Sequence, residues 1–171
     1  MHGSRRRFNI CVKHERILRL YNSKRVAVTL NDLFTATLKG QLFGVMTWAQ
    51  WDQIQETLRK NNEPWYVYFV QSPPPQTPIA GSVFSDILAG IHALLRKEHR
   101  ESYFGIAYVD NLQVPNLVKI YDPNHLGSSC GSSGTSTPPG WIISKWPPVA
   151  ISGNVITPAN RKRWWHSLIG N

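Results

Sequence analysis

Residues 103–121 read YFGIAYVDNLQVPNLVKIY. Two short runs rich in aromatic and β-branched residues, Tyr103–Val109 and Leu117–Tyr121, flank DNLQVPN, whose Asp, Asn and Pro are turn formers. This pattern predicts two strands joined by a wide hairpin loop, and therefore antiparallel pairing. A third strand candidate, Trp141–Trp146, follows, and Pro147 with Pro148 ends it.

Upstream, Ser82 is the expected cap of a helix over about residues 83–98. Phe84, Ile87, Leu88, Ile91, Leu94 and Leu95 form its apolar stripe, and Arg96, Lys97, His99 and Arg100 gather at its C-terminal end, where the helix dipole favours cations. His92 neighbours the stripe and reads as structural. Ile79–Leu95 is the most apolar long stretch, but it holds Ser82, Ser85, Asp86 and His92 and is short for a bilayer crossing. A buried helix is expected there, not a membrane span. Before it, PWYVYFV at 64–70 is the clearest strand, and QSPPPQTP at 71–78 is a stiff polyproline-like connector. That connector is both a candidate subdomain joint and a candidate ligand for an aromatic groove.

Thr47 with Gln50 makes a capping box for a helix over 48–60, whose Trp48, Trp51, Ile54, Gln55 and Leu58 share one side. Asn31 reads as the cap of a shorter helix over 32–39, stopped by Gly40. Residues 8–13, 17–21 and 25–30 read as strands of a small basic sheet, the last two joined by Asn22-Ser23-Lys24. Pro158 opens a last helix with Trp164, Trp165 and Leu168 on one side. No strict βαβ alternation and no internal repeat is present. The expected fold class is α+β. A single domain over 1–171 carries a mainly antiparallel sheet of about five to seven short strands, with two long helices and a C-terminal helix packed on one face. Residues 1–7 are expected to be disordered and 124–140 to form a flexible loop.

The formal charge is +9 and it is clustered. Residues 1–30 hold Arg5, Arg6, Arg7, Lys13, Arg16, Arg19, Lys24 and Arg25 against Glu15 alone, a net +7. Arg161, Lys162 and Arg163 add +3 at the C-terminus, leaving the middle at −1. Clustered Lys and Arg favour polyanions, because each phosphate contact releases counterions. Basic residues beside aromatics can also clamp phosphates while stacking bases. Arg5, Arg6, Arg7, Arg161, Lys162, Arg163, Trp164 and Trp165 are therefore the nucleic-acid-binding candidates. No RRM, KH or zinc-finger signature accompanies them. The helix pair at 32–39 and 48–60 has a connection containing LFGVM, longer and more apolar than a helix-turn-helix turn.

KIYDPNHLGSSCGSSG, residues 119–134, is the stretch to test for catalysis. Gly127–Gly131 formally matches G-x-S-x-G with Ser129 at the nucleophile position, but no helix follows to form the elbow that exposes the hydroxyl. A phosphate cradle would need a helix start and usually a Lys, and neither is present. Cys130 is a candidate nucleophile or redox thiol, with His125 as its base and Asp122 to orient the ring. Asp122, His125 and Cys130 do not make a matched metal set, so no metal or cofactor is expected. Cys11 and Cys130 are the only cysteines and suggest neither a disulfide framework nor zinc spacing. With a polar, basic N-terminus lacking a secretory apolar run, the expected location is the cytoplasm.

The expectation is thus a small non-enzymatic accessory protein contacting nucleic acid through its basic termini. Two alternatives accompany it: a protein-interaction module using aromatic or Pro-rich surface, and a Cys130-dependent enzyme or redox sensor.

Overall fold

A computed structural model describes residues 27–124, 137–153 and 158–170. Within them lie four α-helices and five strands: α1 (Leu30–Lys39), β1 (Phe43–Val45), α2 (Trp48–Arg59), β2 (Tyr66–Phe69), α3 (Gly81–Glu98), β3 (Ala107–Val109), β4 (Leu117–Ile120), β5 (Trp141–Ser144) and α4 (Ala159–Ile169). The class is α+β, as the hairpin pattern requires. The sheet order is β1-β3-β4-β5-β2 and every neighbouring pair is antiparallel. The chain lays down one edge strand, crosses by α2 to the other edge, returns by α3, and then fills the middle with the meander β3-β4-β5. The expected basic strands over 8–30 and the loop over 125–136 lie outside the described residues.

The capping signals decide the helix starts. Thr47 Oγ1 accepts from Gln50 N at 3.2 Å while Gln50 Oε1 accepts from Thr47 N at 3.1 Å, closing the expected box on α2. At α1 the cap is Thr29 and not Asn31. Asp32 stands three residues on and accepts from Thr29 N at 2.8 Å, so the reciprocal box outcompetes a lone Asn cap. Those hydrogen bonds, backbone first, also hold the Asp32 carboxyl below the ordinary Asp range. Ser82 does not cap α3. Ile79 is tied to Trp65 by a pair of backbone hydrogen bonds of 2.7 and 2.8 Å, and the chain turns from that bridge into the helix at Gly81, whose φ of +65° suits glycine. The Pro-rich segment 71–78 is spanned by this bridge, and residues from both sides of it share one core.

That core lies between the sheet and α2, α3 and α4. It contains Val45, Trp51, Ile54, Leu58, Val67, Phe69, Ile87, Ile91, Leu95, Val109, Ile120, Trp141, Ile143 and Trp165. The two long helices and the C-terminal helix thus share one face, as expected, but the short helix does not. α1 covers the opposite face, where Phe34 and Leu38 pack with Tyr68, Leu117 and Ile142. Side chains alternate across a strand, so β2 and β5, which are buried at nearly every position, need cover on both sides. The arrangement is three-layered: three helices, the sheet, one helix. It also removes helix-turn-helix geometry, because α1 and α2 sit on opposite faces with β1 between them.

Candidate functional site

The C-terminal cluster RKRWW divides between interior and surface. In α4 the inward stripe is Arg161, Trp164, Trp165 and Leu168, the i, i+3, i+4, i+7 spacing of a packed face. Trp165 is buried and its ring lies 5.5 Å from that of Phe69. Trp164 is half-buried, edge-on to Trp141 with ring centroids 5.8 Å apart. Lys162 and Arg163 point outward and are exposed.

Arg161 is only 4% exposed, and its partner Asp122 only 2%. Arg161 Nε donates to Asp122 Oδ2 at 2.7 Å and Nη2 to Asp122 Oδ1 at 3.0 Å, a two-pronged pair. Its Nη1 donates to Glu98 Oε1 at 3.2 Å, and Nη2 also bonds Glu98 Oε2. The Trp141 and Trp164 rings flank the guanidinium at 5.7 Å each. Burial opposes the charge, but the hydrogen bonds and charges of Asp122 and Glu98 outweigh it and hold the Arg161 pKa above the ordinary arginine value. The fork is thus committed internally. Arg161 clamps α4 to the end of α3 and to the end of β4, and is not offered to an external phosphate.

Asp122 is committed in the same way. Besides the arginine, its Oδ1 accepts from Asn124 N at 3.0 Å. Both carboxylate oxygens thus accept hydrogen bonds from Arg161, and Oδ1 also from Asn124. His125 and Cys130, like Arg5, Arg6 and Arg7, lie outside the described residues. The fully buried Trp141 Nε1 beside this junction has no hydrogen-bond partner among the described residues. Between α3 and α4 a cavity of about 390 Å³ is lined by Gly90, Lys97, Asn160 and Trp164 among others.

A second polar cluster joins α2 to α3, and its roles are fixed by chemistry. Trp51 Nε1 can only donate, so His92 Nδ1, 3.2 Å away, must accept. Gln55 Nε2 donates to the same nitrogen at 2.9 Å. The neutral ring therefore carries its proton on Nε2. The 3.5 Å approach of Arg96 Nε to that nitrogen is then a meeting of two N–H groups, not a hydrogen bond. Arg96 instead lies 3.8 Å from the Trp48 ring centroid and reaches Asp52 Oδ2 at 3.4 Å. Burial first, then Arg96, pushes the His92 pKa down; Asp52 opposes this and Arg59 adds to it. His92 is a neutral bracket between two helices, which agrees with the structural reading of its position beside the apolar stripe. The sequence signal for its partners was the helical spacing of Trp48, Trp51 and Gln55; nothing in it paired them with His92 and Arg96.

Among the described residues no group of three or more His, Cys, Asp or Glu is placed to hold a metal ion. No helix among them is long and apolar enough to cross a membrane. Compared with protein-family models, curated proteins and solved structures, the chain matches none.

Proposed function

We propose that this protein is a small non-enzymatic accessory protein that contacts nucleic acid through its basic N-terminal segment, with Lys162 and Arg163 of α4 as a lesser contact, in the cytoplasm. One observation carries the reading. Of the formal +9, residues 1–26 hold +7, which leaves +2 for the rest of the chain. Such segregation concentrates counterion release in one short stretch, which is the electrostatic basis of phosphate binding. Arg161 and Trp165 are dropped from the contact set because they are spent on the interior.

The test is binding of the full chain to labelled single- and double-stranded oligonucleotides across a salt series. Affinity should fall steeply as salt rises. Absence of binding at low ionic strength would overturn the proposal.

A second reading, a protein-interaction module, draws on the Pro-rich segment, where Pro73, Gln76, Thr77 and Pro78 are exposed. Recovery of a protein partner that survives nuclease treatment, together with flat salt dependence toward oligonucleotides, would favour it.

A further inference from the structure

The sheet face that carries α1 is only partly covered by it. Alternation along the strands places Gly44 of β1, Tyr108 of β3 and Lys119 of β4 on that face, beside Leu117 and Ile142, which α1 buries. Tyr121 continues the same alternation just past β4, and its backbone N donates to Ile106 O at 2.8 Å, so the ring is held as if the strand ran on. Tyr108, Lys119 and Tyr121 are half-buried.

These three side chains form one group. The two tyrosine rings are 5.9 Å apart and 83° from parallel, and Lys119 Nζ lies 5.3 Å from each ring centroid. Lys119 makes no ion pair with a carboxylate among the described residues. Opposite Tyr108 in register stands Gly44, and the Tyr108 ring and the Met46 sulfur both lie against the space where its Cβ would be. The next residue of that strand on this face, Met46, is well exposed.

The occupant is specified by three features. First, aromatic rings with an ammonium between them offer stacking surface and a phosphate contact together. Second, near-perpendicular rings cannot both stack on one base. One stacks and the other meets the base edge, so the group fits a single nucleotide. Third, residues 1–26 with their +7 run directly into Thr29, the cap of α1 on this same face, whereas Lys162 and Arg163 belong to α4 on the other. Bases within a duplex are stacked on one another and cannot lie flat on a sheet, so the strand must be single.

We propose that Tyr108, Lys119 and Tyr121 form a nucleotide-stacking site for single-stranded nucleic acid. This rests on the nucleic-acid reading above and adds the site and the strandedness to it.

The test uses the full chain, an oligothymidine of about fifteen nucleotides, within the span that single-strand binders cover, and a duplex of equal length. The variants are Tyr108→Leu and Tyr121→Leu, with Tyr108→Phe and Tyr121→Phe as conservative partners. Stacking predicts that each leucine variant binds the single strand about 5- to 150-fold more weakly, that each phenylalanine variant retains binding, and that duplex affinity does not move. Lys119→Gln should lower the salt slope for the single strand by about 0.7. If a leucine variant fails to fold by near-ultraviolet circular dichroism, photocrosslinking of the unaltered protein to an iodouracil-substituted strand takes its place. Crosslinks mapping to Tyr108 or Tyr121 support the site. Folded leucine variants with unchanged single-strand affinity, or crosslinks confined to other residues, overturn it while leaving the nucleic-acid reading intact. No binding of either oligonucleotide removes both.

Discussion

The two faces of the sheet are built differently. One is sealed by α2, α3 and α4, with Trp51, Ile91, Trp141 and Ile143 fully buried and two polar brackets, the Arg161 junction and the His92 cluster, tying helix to helix. The other carries one helix among the described residues, α1, whose Phe34 and Leu38 pack there together with Trp146, Val149 and Ile151, and it leaves Tyr108, Lys119 and Tyr121 half-buried beside them. Apolar area removed from water supplies most of the folding free energy, so the sealed face is the source of stability. On the half-covered face Tyr108, Lys119 and Tyr121 keep part of their surface in solvent.

The largest expected effect breaks the sealed face at its polar clamp. Arg161→Ala leaves Asp122 buried without its counter-charge, and loss of one partner of a buried pair costs about 3–5 kcal/mol. Denaturant unfolding checks this; a loss below about 1 kcal/mol would mean the junction is as weak as a surface pair. Phe34→Ala sharpens the contrast from the other side. Truncating a fully buried Phe costs about 3–5 kcal/mol when the whole fold feels it. Because α1 has only this small cluster, the loss should appear first as local opening. Amide exchange in α1 should accelerate while α3 stays protected, and equal acceleration in both would show that the two faces unfold as one unit.

Capping gives a smaller, paired comparison. Thr47→Ala removes the cap of a helix inside the main core and should lower global stability by about 1 kcal/mol. Thr29→Ala removes the equivalent cap of α1 and should register mainly as α1 exchange.

How much of this was legible follows from which signals are local. The stripe of α3, the box at Thr47 and the hairpin across DNLQVPN are set by residues a few positions apart, and each appears where its spacing puts it. Phe43–Val45, inside the LFGVM connection, is an edge strand because β3 lies beside it, a contact more than sixty residues away in the chain. The placement of α1 was hidden for a related reason: a short amphipathic helix does not state which face it covers. Arg161 was misleading because a basic run reads as surface, and only the convergence of Asp122 and Glu98 shows it to be interior.

The smallest expected effect concerns pH. The folded His92 pKa lies below the ordinary histidine value near ~6.5, so the unfolded chain binds its proton more readily. Stability from this group is complete above that ordinary value and is lost as pH falls through the folded pKa. The difference between wild type and His92→Gln should therefore shrink on acidification below about pH 6.5, and a difference constant with pH would contradict the neutral-bracket role.

The most direct measurement is the salt dependence of oligothymidine binding by the full chain, compared with Arg5→Gln/Arg6→Gln/Arg7→Gln and with Lys162→Gln/Arg163→Gln. Each lost single-strand phosphate contact lowers the slope of log affinity against log salt by about 0.7. The account predicts a steep slope for the unaltered protein, reduced by about 2 in the N-terminal triple variant and by less in the α4 pair. A flat slope for the unaltered protein, or one that the N-terminal substitutions leave unchanged, would contradict it.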